Sequence, residues 1–97
     1  MKMHNPPHPG EIIADIYLEP FGLSARAIAK DLKVDPSTFS RLVSGNSSVS
    51  PDMAIRLSRV LGGSPESWLQ MQLNYDLWQA KHKNDHADLR PREFIAA

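Results

Sequence analysis

Ninety-seven residues, 41% of them hydrophobic, suffice for one small folded domain and argue against wholesale disorder. With no Cys, the chain has no disulfide, no zinc ribbon and no thiol nucleophile. Eleven basic residues cancel eleven acidic ones, which counts mildly against a nucleic-acid protein; no apolar run approaches a membrane span or a leader-peptide core, so a soluble cytoplasmic protein is expected.

In chain order, residues 1–7 form a flexible lead-in. His8-Pro9-Gly10-Glu11 opens a first helix with an apolar stripe of Ile12, Ile13, Ile16 and Tyr17, and Pro20 closes it. Phe21-Gly22-Leu23 is a turn whose Phe and Leu are expected to pack under the next two helices. The stretch 24–45 organises the rest. Ser24 is an N-cap, and Ala25, Ile28, Ala29 and Leu32 follow at i, i+3, i+4 and i+7, one helical face. After a short turn, Asp35-Pro36 starts another helix, Asp accepting free N–H groups and Pro losing only an orphan donor. Val34 and Phe39 have the spacing of a hydrophobic staple. This helix buries Phe39, Leu42 and Val43, and Gly45 ends it. Ser37, Thr38, Ser40, Arg41 and Ser44 then face outward. Small hydroxyls admit the backbone to a major groove, and Arg can take guanine bidentately.

Beyond a polar NSSVS loop, Ser50-Pro51 starts a fourth helix carrying Met53, Ala54, Ile55, Leu57 and Leu61, which stops at Gly62-Gly63. Ser64-Pro65 starts a fifth, running through Trp68, Leu69, Met71, Leu73, Tyr75, Leu77 and Trp78 as far as 81–83. It is apolar nearly all round, so one face belongs to the core and a second to a partner. Four of the five helices begin X-Pro, and no strand pattern occurs. The expected architecture is all-α, with a domain at 8–83 and a polar tail at 84–97 whose Leu89, Phe94 and Ile95 are available for docking.

Charge is uneven along the chain. Between Ser24 and Val60 there are six basic residues against three acidic, a local +3 that attracts phosphate weakly. Arg41 is the strongest base-reading candidate. Ser24, Ser44 and Ser47 are candidate phosphate donors, although Ser24 is also simply a cap. Arg56 and Arg59 are assigned to ordinary surface charge. His4/His8 and His82/His86 have i, i+4 spacing, but no third ligand accompanies either pair, so no metal is expected. Nothing supplies a nucleophile, an acid pair in a pocket or a glycine-rich phosphate loop. Neither enzymatic activity nor a cofactor is expected.

The helix order and the segment SARAIAKDLKVDPSTFSRLVSG resemble the XRE-type, lambda-repressor-like helix-turn-helix domains of phage repressors. His8-Pro9-Gly10-Glu11, SRLVSGNSSVSPDMAIRLSRVLGGSPESWLQMQ and Asn74-Tyr75-Asp76-Leu77 narrow the resemblance to the HigA (VapI-like) antitoxins of type II toxin–antitoxin modules, over roughly residues 8–80. That resemblance implies a small dimeric antitoxin that neutralises HigB, a RelE-like mRNA-cleaving toxin, and represses its own operon at a palindromic operator. The recognition helix would be residues 36–44, opened by Pro36, with Asp35, Ser37, Thr38, Ser40 and Arg41 at the groove. Ser24, Ala25, Ser44, Asn46, Ser47 and Ser48 match the phosphate-contacting pattern. Asp35 departs from the neutral residue common in relatives; it either serves as a cap or accepts from a cytosine amino group. Two other functions compete: a stand-alone XRE-family regulator without a toxin, and a protein-interaction module whose helix-turn-helix is only a packing motif.

Overall fold

The computed structural model describes residues 5–96; most of the expected lead-in, His4 included, lies outside the described residues. The described chain is helical with no strand: α1 (Pro9–Ile12) leads into a wider π-helical stretch (Ile13–Leu18) and a 3-10 turn (Glu19–Phe21), followed by α2 (Ala25–Leu32), α3 (Pro36–Val43), α4 (Pro51–Val60) and α5 (Pro65–Lys83). Pro stands in the first turn of α1, α3, α4 and α5, as the X-Pro boundaries require. Each start is also capped by a side chain. His8 Nδ1 accepts the Gly10 N–H at 2.9 Å, Ser50 Oγ accepts the Met53 N–H at 3.1 Å, and Ser64 and Ser67 form a reciprocal capping box.

The core is one cluster: Ile13 and Leu18 from the π-helical stretch, Ile28, Ala29 and Leu32 from α2, Phe39 and Leu42 from α3, Met53, Ala54 and Leu57 from α4, and Trp68 from α5, with Val49 from the α3–α4 loop. Two polar anchors fix its edges. Trp68 Nε1 donates to the Gly62 carbonyl at 2.9 Å, closing the α4–α5 turn. His8 packs edge-on against Tyr75, ring centroids 4.9 Å apart, joining the chain's start to α5. Among the described residues, no helix is long and apolar enough to cross a membrane.

Several sequence expectations are corrected. Pro20 does not close the first helix; it lies inside the 3-10 turn, and Gly22 turns the chain instead. Pro20 has no N–H to give, and its ring crowds the carbonyl four residues back, so regular α geometry cannot persist to it. The ladder widens beforehand, the Glu19 N–H reaching Ala14 O. Phe21 and Leu23 do not pack beneath α2 and α3. They are 69% and 44% exposed, because Ile13 and Leu18 already fill that space and the Gly22 turn carries both outward. Ile16 and Ile55 are also half-exposed: α4 turns Met53, Ala54 and Leu57 inward, which leaves Ile55 outside.

Candidate nucleic-acid interface

The interface is built from two helix starts and one helix end. Ser24 Oγ accepts the Ala27 N–H at 3.1 Å. The first two N–H groups of α2, those of Ala25 and Arg26, keep no intrahelical partner, because helix geometry provides none there. They mark a positive helix terminus with exposed donors, the feature that receives phosphate.

The start of α3 is different, because its own carboxylate occupies the equivalent place. Asp35 Oδ2 accepts from the N–H groups of Ser37 (3.1 Å) and Thr38 (3.3 Å) and from the Ser37 hydroxyl. The Ser37 hydroxyl is the main cause that holds the Asp35 carboxyl below its ordinary value. The Thr38 N–H follows; desolvation opposes the shift, and the Ser37 N–H and the positive charge of Arg41 add smaller contributions to it. Asp35 is therefore a working N-cap, the first of the two roles open to it from sequence. Since that bond commits the Ser37 hydroxyl proton, Ser37 can meet a base only as an acceptor.

Helix α3 buries Phe39 and Leu42 and leaves Ser37, Thr38, Ser40 and Arg41 exposed. It ends in a Schellman turn: Asn46 N–H donates to Arg41 O at 2.8 Å and Gly45 N–H to Leu42 O at 3.0 Å. Gly45 takes φ +84°, which a side chain would strain. Ser44 belongs to this cap, for its hydroxyl donates to Arg41 O at 3.1 Å and accepts from Asn46 Nδ2 at 3.1 Å. A phosphate contact by Ser44 would require that donor bond to break, which weakens the sequence-based reading of Ser44.

Ala25, Asp35, Pro36, Ser37 and Ser40 line one cleft between the starts of α2 and α3, together with Arg26. Ser24 and Pro36 line the adjoining hollow with Arg26 and Lys30. Ser44 stands at the far end of α3, beside His8, Glu11 and Tyr75. Asn46 and Ser48 are exposed and Ser47 half-buried in the loop beyond it.

Sequence reasoning passed over several residues that hold or flank this arrangement. Arg26 and Lys30 entered only as charge, yet Arg26 lines both hollows and Lys30 the one beside Ser24. Arg56 is not mere surface charge. Nη1 donates to Leu32 O at 2.8 Å and Nε to Asp52 Oδ2 at 2.8 Å, so it clamps the turn between α2 and α3. In that turn Lys33 adopts φ +58°, unusual for a residue with a side chain. The Asp52/Arg56 i, i+4 pairing was the available signal. Gly10 is the close-approach point: a Cβ there would lie 2.0 Å from Leu42 O, so α1 and the end of α3 can meet only at a glycine. Of the histidines among the described residues, His8 is a cap, His82 stacks on Trp78, and His86 lies beyond the end of α5.

The helix-turn-helix family model matches residues 16–69, from the π-helical stretch into α5. Virulence-associated protein I of Dichelobacter nodosus is 49% identical over 76% of this chain and 68% of its own length. The uncharacterised HTH-type transcriptional regulator YddM of Escherichia coli is 42% identical over 93% of this chain and 95% of its own. The structure of the Pseudomonas aeruginosa antitoxin HigA with the higBA promoter superposes with TM-score 0.78 at 37% identity, covering 89% of this chain and 97% of that one. This chain belongs to the HigA-like branch of the XRE helix-turn-helix family. In HigA-like terms, α2 and α3 are the helix-turn-helix pair, and the residues read from sequence as DNA contacts lie on its exposed helix starts, on the outer face of α3 and in the loop after it.

Proposed function

We propose that the chain is an antitoxin and autorepressor. As a dimer in the cytoplasm it binds a palindromic operator before its own operon, and it neutralises a HigB-like, mRNA-cleaving toxin encoded beside it. The observation that carries the DNA half is the outer face of α3, where Arg41 stands among small hydroxyls next to a capped, phosphate-ready α2 terminus. Arg41 reads a base edge, with Thr38 and Ser40 beside it. Asp35 and Ser37 hold the helix start at the groove, with Pro36 fixing its first turn. Ser24, Ala25, Asn46, Ser47 and Ser48 meet phosphates, and Ser44 contributes by closing α3. A base-reading Arg is worth about 1–3 kcal/mol of discrimination, so the phosphate contacts supply most of the affinity.

Two-fold DNA calls for two copies. The outer half of α5 offers the surface, because Leu73 and Leu77 are 54% and 48% exposed and the tail adds exposed Leu89, Phe94 and Ile95. The toxin half rests on the HigA-like relatives. A stand-alone regulator is the second reading, favoured by the near full-length likeness to an HTH-type transcriptional regulator. Co-expression with the product of the adjacent gene separates the two. The antitoxin reading predicts a small basic protein that co-purifies with this chain and arrests growth when expressed alone. A neighbour that neither associates nor inhibits growth would leave the stand-alone regulator.

A further inference from the structure

The loop between α3 and α4 carries Asn46, Ser47 and Ser48, and a side chain from α5 fixes its backbone. The Val49 N–H donates to Gln72 Oε1 at 2.9 Å, across 23 positions of sequence. Gln72 is 5% exposed, and among the described residues only His8 shares its status as a buried polar side chain. One helical turn on, Asp76 completes the arrangement, its Oδ1 accepting from Gln72 Nε2 at 2.9 Å. That second bond decides which end of the amide faces the loop. A carboxylate only accepts, so it draws the NH₂ end to itself and leaves the oxygen for Val49.

The Val49 side chain is buried in the core as well, so the loop is pinned twice, once by packing and once by a hydrogen bond. Packing tolerates sliding. A buried N–H with a single acceptor does not, since displacement leaves it unpaired. Serine hydroxyls are short and reach phosphate only if their backbone is held at the right height. Arg41 reaches much further from its helix and has no such requirement.

We propose that Gln72 is a positioning residue for DNA binding: its amide, oriented by Asp76, holds the 46–50 loop where Ser47 and Ser48 meet phosphate. The inference rests on α3 being the recognition helix. It extends the interface to two α5 residues that stand behind it. Because phosphate carries no sequence information, Gln72 acts on affinity for any duplex, whereas Arg41 acts on the operator alone.

The test compares Gln72→Leu, Gln72→Glu and the double variant Gln72→Glu/Asp76→Asn. Binding to the operator and to a scrambled duplex is measured by fluorescence anisotropy over a salt series, below each variant's thermal transition. Gln72→Leu is expected to weaken both duplexes by a similar factor, about three- to tenfold, and to leave the salt slope unchanged, because the hydroxyls of Ser47 and Ser48 are neutral and release no counterion. Gln72→Glu sets two carboxylates one turn apart and weakens binding likewise. The double variant keeps an acceptor toward Val49 and replaces the second carboxylate with an amide donor at position 76, and it recovers binding to within about twofold of the parent chain. Wild-type affinity for both duplexes in folded Gln72→Leu would overturn the proposal. If Gln72→Leu does not fold, equal binding by Gln72→Glu and the double variant would overturn it instead. Should the parent chain itself show no salt-dependent operator preference, the recognition-helix reading fails and takes this inference with it. Normal operator binding by the parent with insensitive Gln72 variants removes this inference alone.

Discussion

Asp35, which caps α3, and Arg41, which stands on it, carry opposite charges to opposite purposes. Arg41 is exposed, on the face turned away from Phe39 and Leu42, and supports no core contact. Arg41→Ala is therefore expected to abolish operator preference, a loss of about 1–3 kcal/mol in discrimination, while the thermal midpoint stays nearly unchanged. A gel shift against operator and scrambled duplexes, paired with a melt, checks both halves. Asp35 is expected to behave in the reverse manner. Its carboxyl titrates below the ordinary value of 3.8 because the ionised form receives the Ser37 hydroxyl and two N–H groups. A lowered folded-state value means that the cap stabilises the fold above the unfolded-state value and that this contribution is lost as pH falls through the folded one. The parent chain should melt higher than Asp35→Ala at neutral pH, and the gap should close in acid, below about pH 4. A gap independent of pH would show that the charge of the cap is immaterial. Asp35 was open between two roles in the sequence, since a capping carboxylate and a base-contacting one occupy the same position. Only the bond distances separate them.

Between elements, the decisive contact is α1 against the end of α3. Ala is a better helix former than Gly by about 1 kcal/mol, so propensity alone would make Gly10→Ala stabilising. The approach to Leu42 O and Val43 O forbids it, because both obstacles are backbone. Overpacking of this kind costs about 1–3 kcal/mol, and the net effect should be a lower thermal midpoint together with weakened operator binding, because the displaced element is the proposed recognition helix. An unchanged melt would mean that the α1–α3 junction yields freely. The helix starts were legible in the sequence because a Ser or Asp followed by Pro acts locally and needs no tertiary partner. Ser50, Ser64 and Asp35 all cap as their spacing implies. The first helical run was not legible beyond its opening. The widening at Ile13–Leu18 depends on how the chain accommodates Pro20, and the outward path of Phe21 and Leu23 depends on what already fills the core. Gln72 was passed over as an ordinary polar residue, although it follows Trp68 at i, i+4 and so shares the buried row of α5.

At the scale of the molecule, zero net charge conceals a basic helix-turn-helix flanked by more acidic ends. Affinity for phosphate is thus local and modest, and a single copy reads only half a two-fold site. Helix α5 answers to this. It was expected to divide its apolar surface between core and partner, and the division is lopsided: only Trp68 and Gln72 are buried, while Leu73 and Leu77 face outward. A chain ended after Lys83 loses the exposed Leu89, Phe94 and Ile95, and its dimer should dissociate at a higher protein concentration than the parent's. Sedimentation or light scattering over a concentration series measures this, and an unchanged mass would count against the tail as part of the dimer and leave the N-terminal residues as the alternative.

Helix α3 is proposed to read DNA in front of this chain's own operon. Fluorescence anisotropy with that DNA and with a scrambled duplex of equal length, repeated over a salt series, tests it most directly. Tighter binding to the operon's own DNA is expected, falling steeply for both duplexes as salt rises, with the preference lost in Arg41→Ala. Equal affinity for the two duplexes, or binding indifferent to salt, would contradict it.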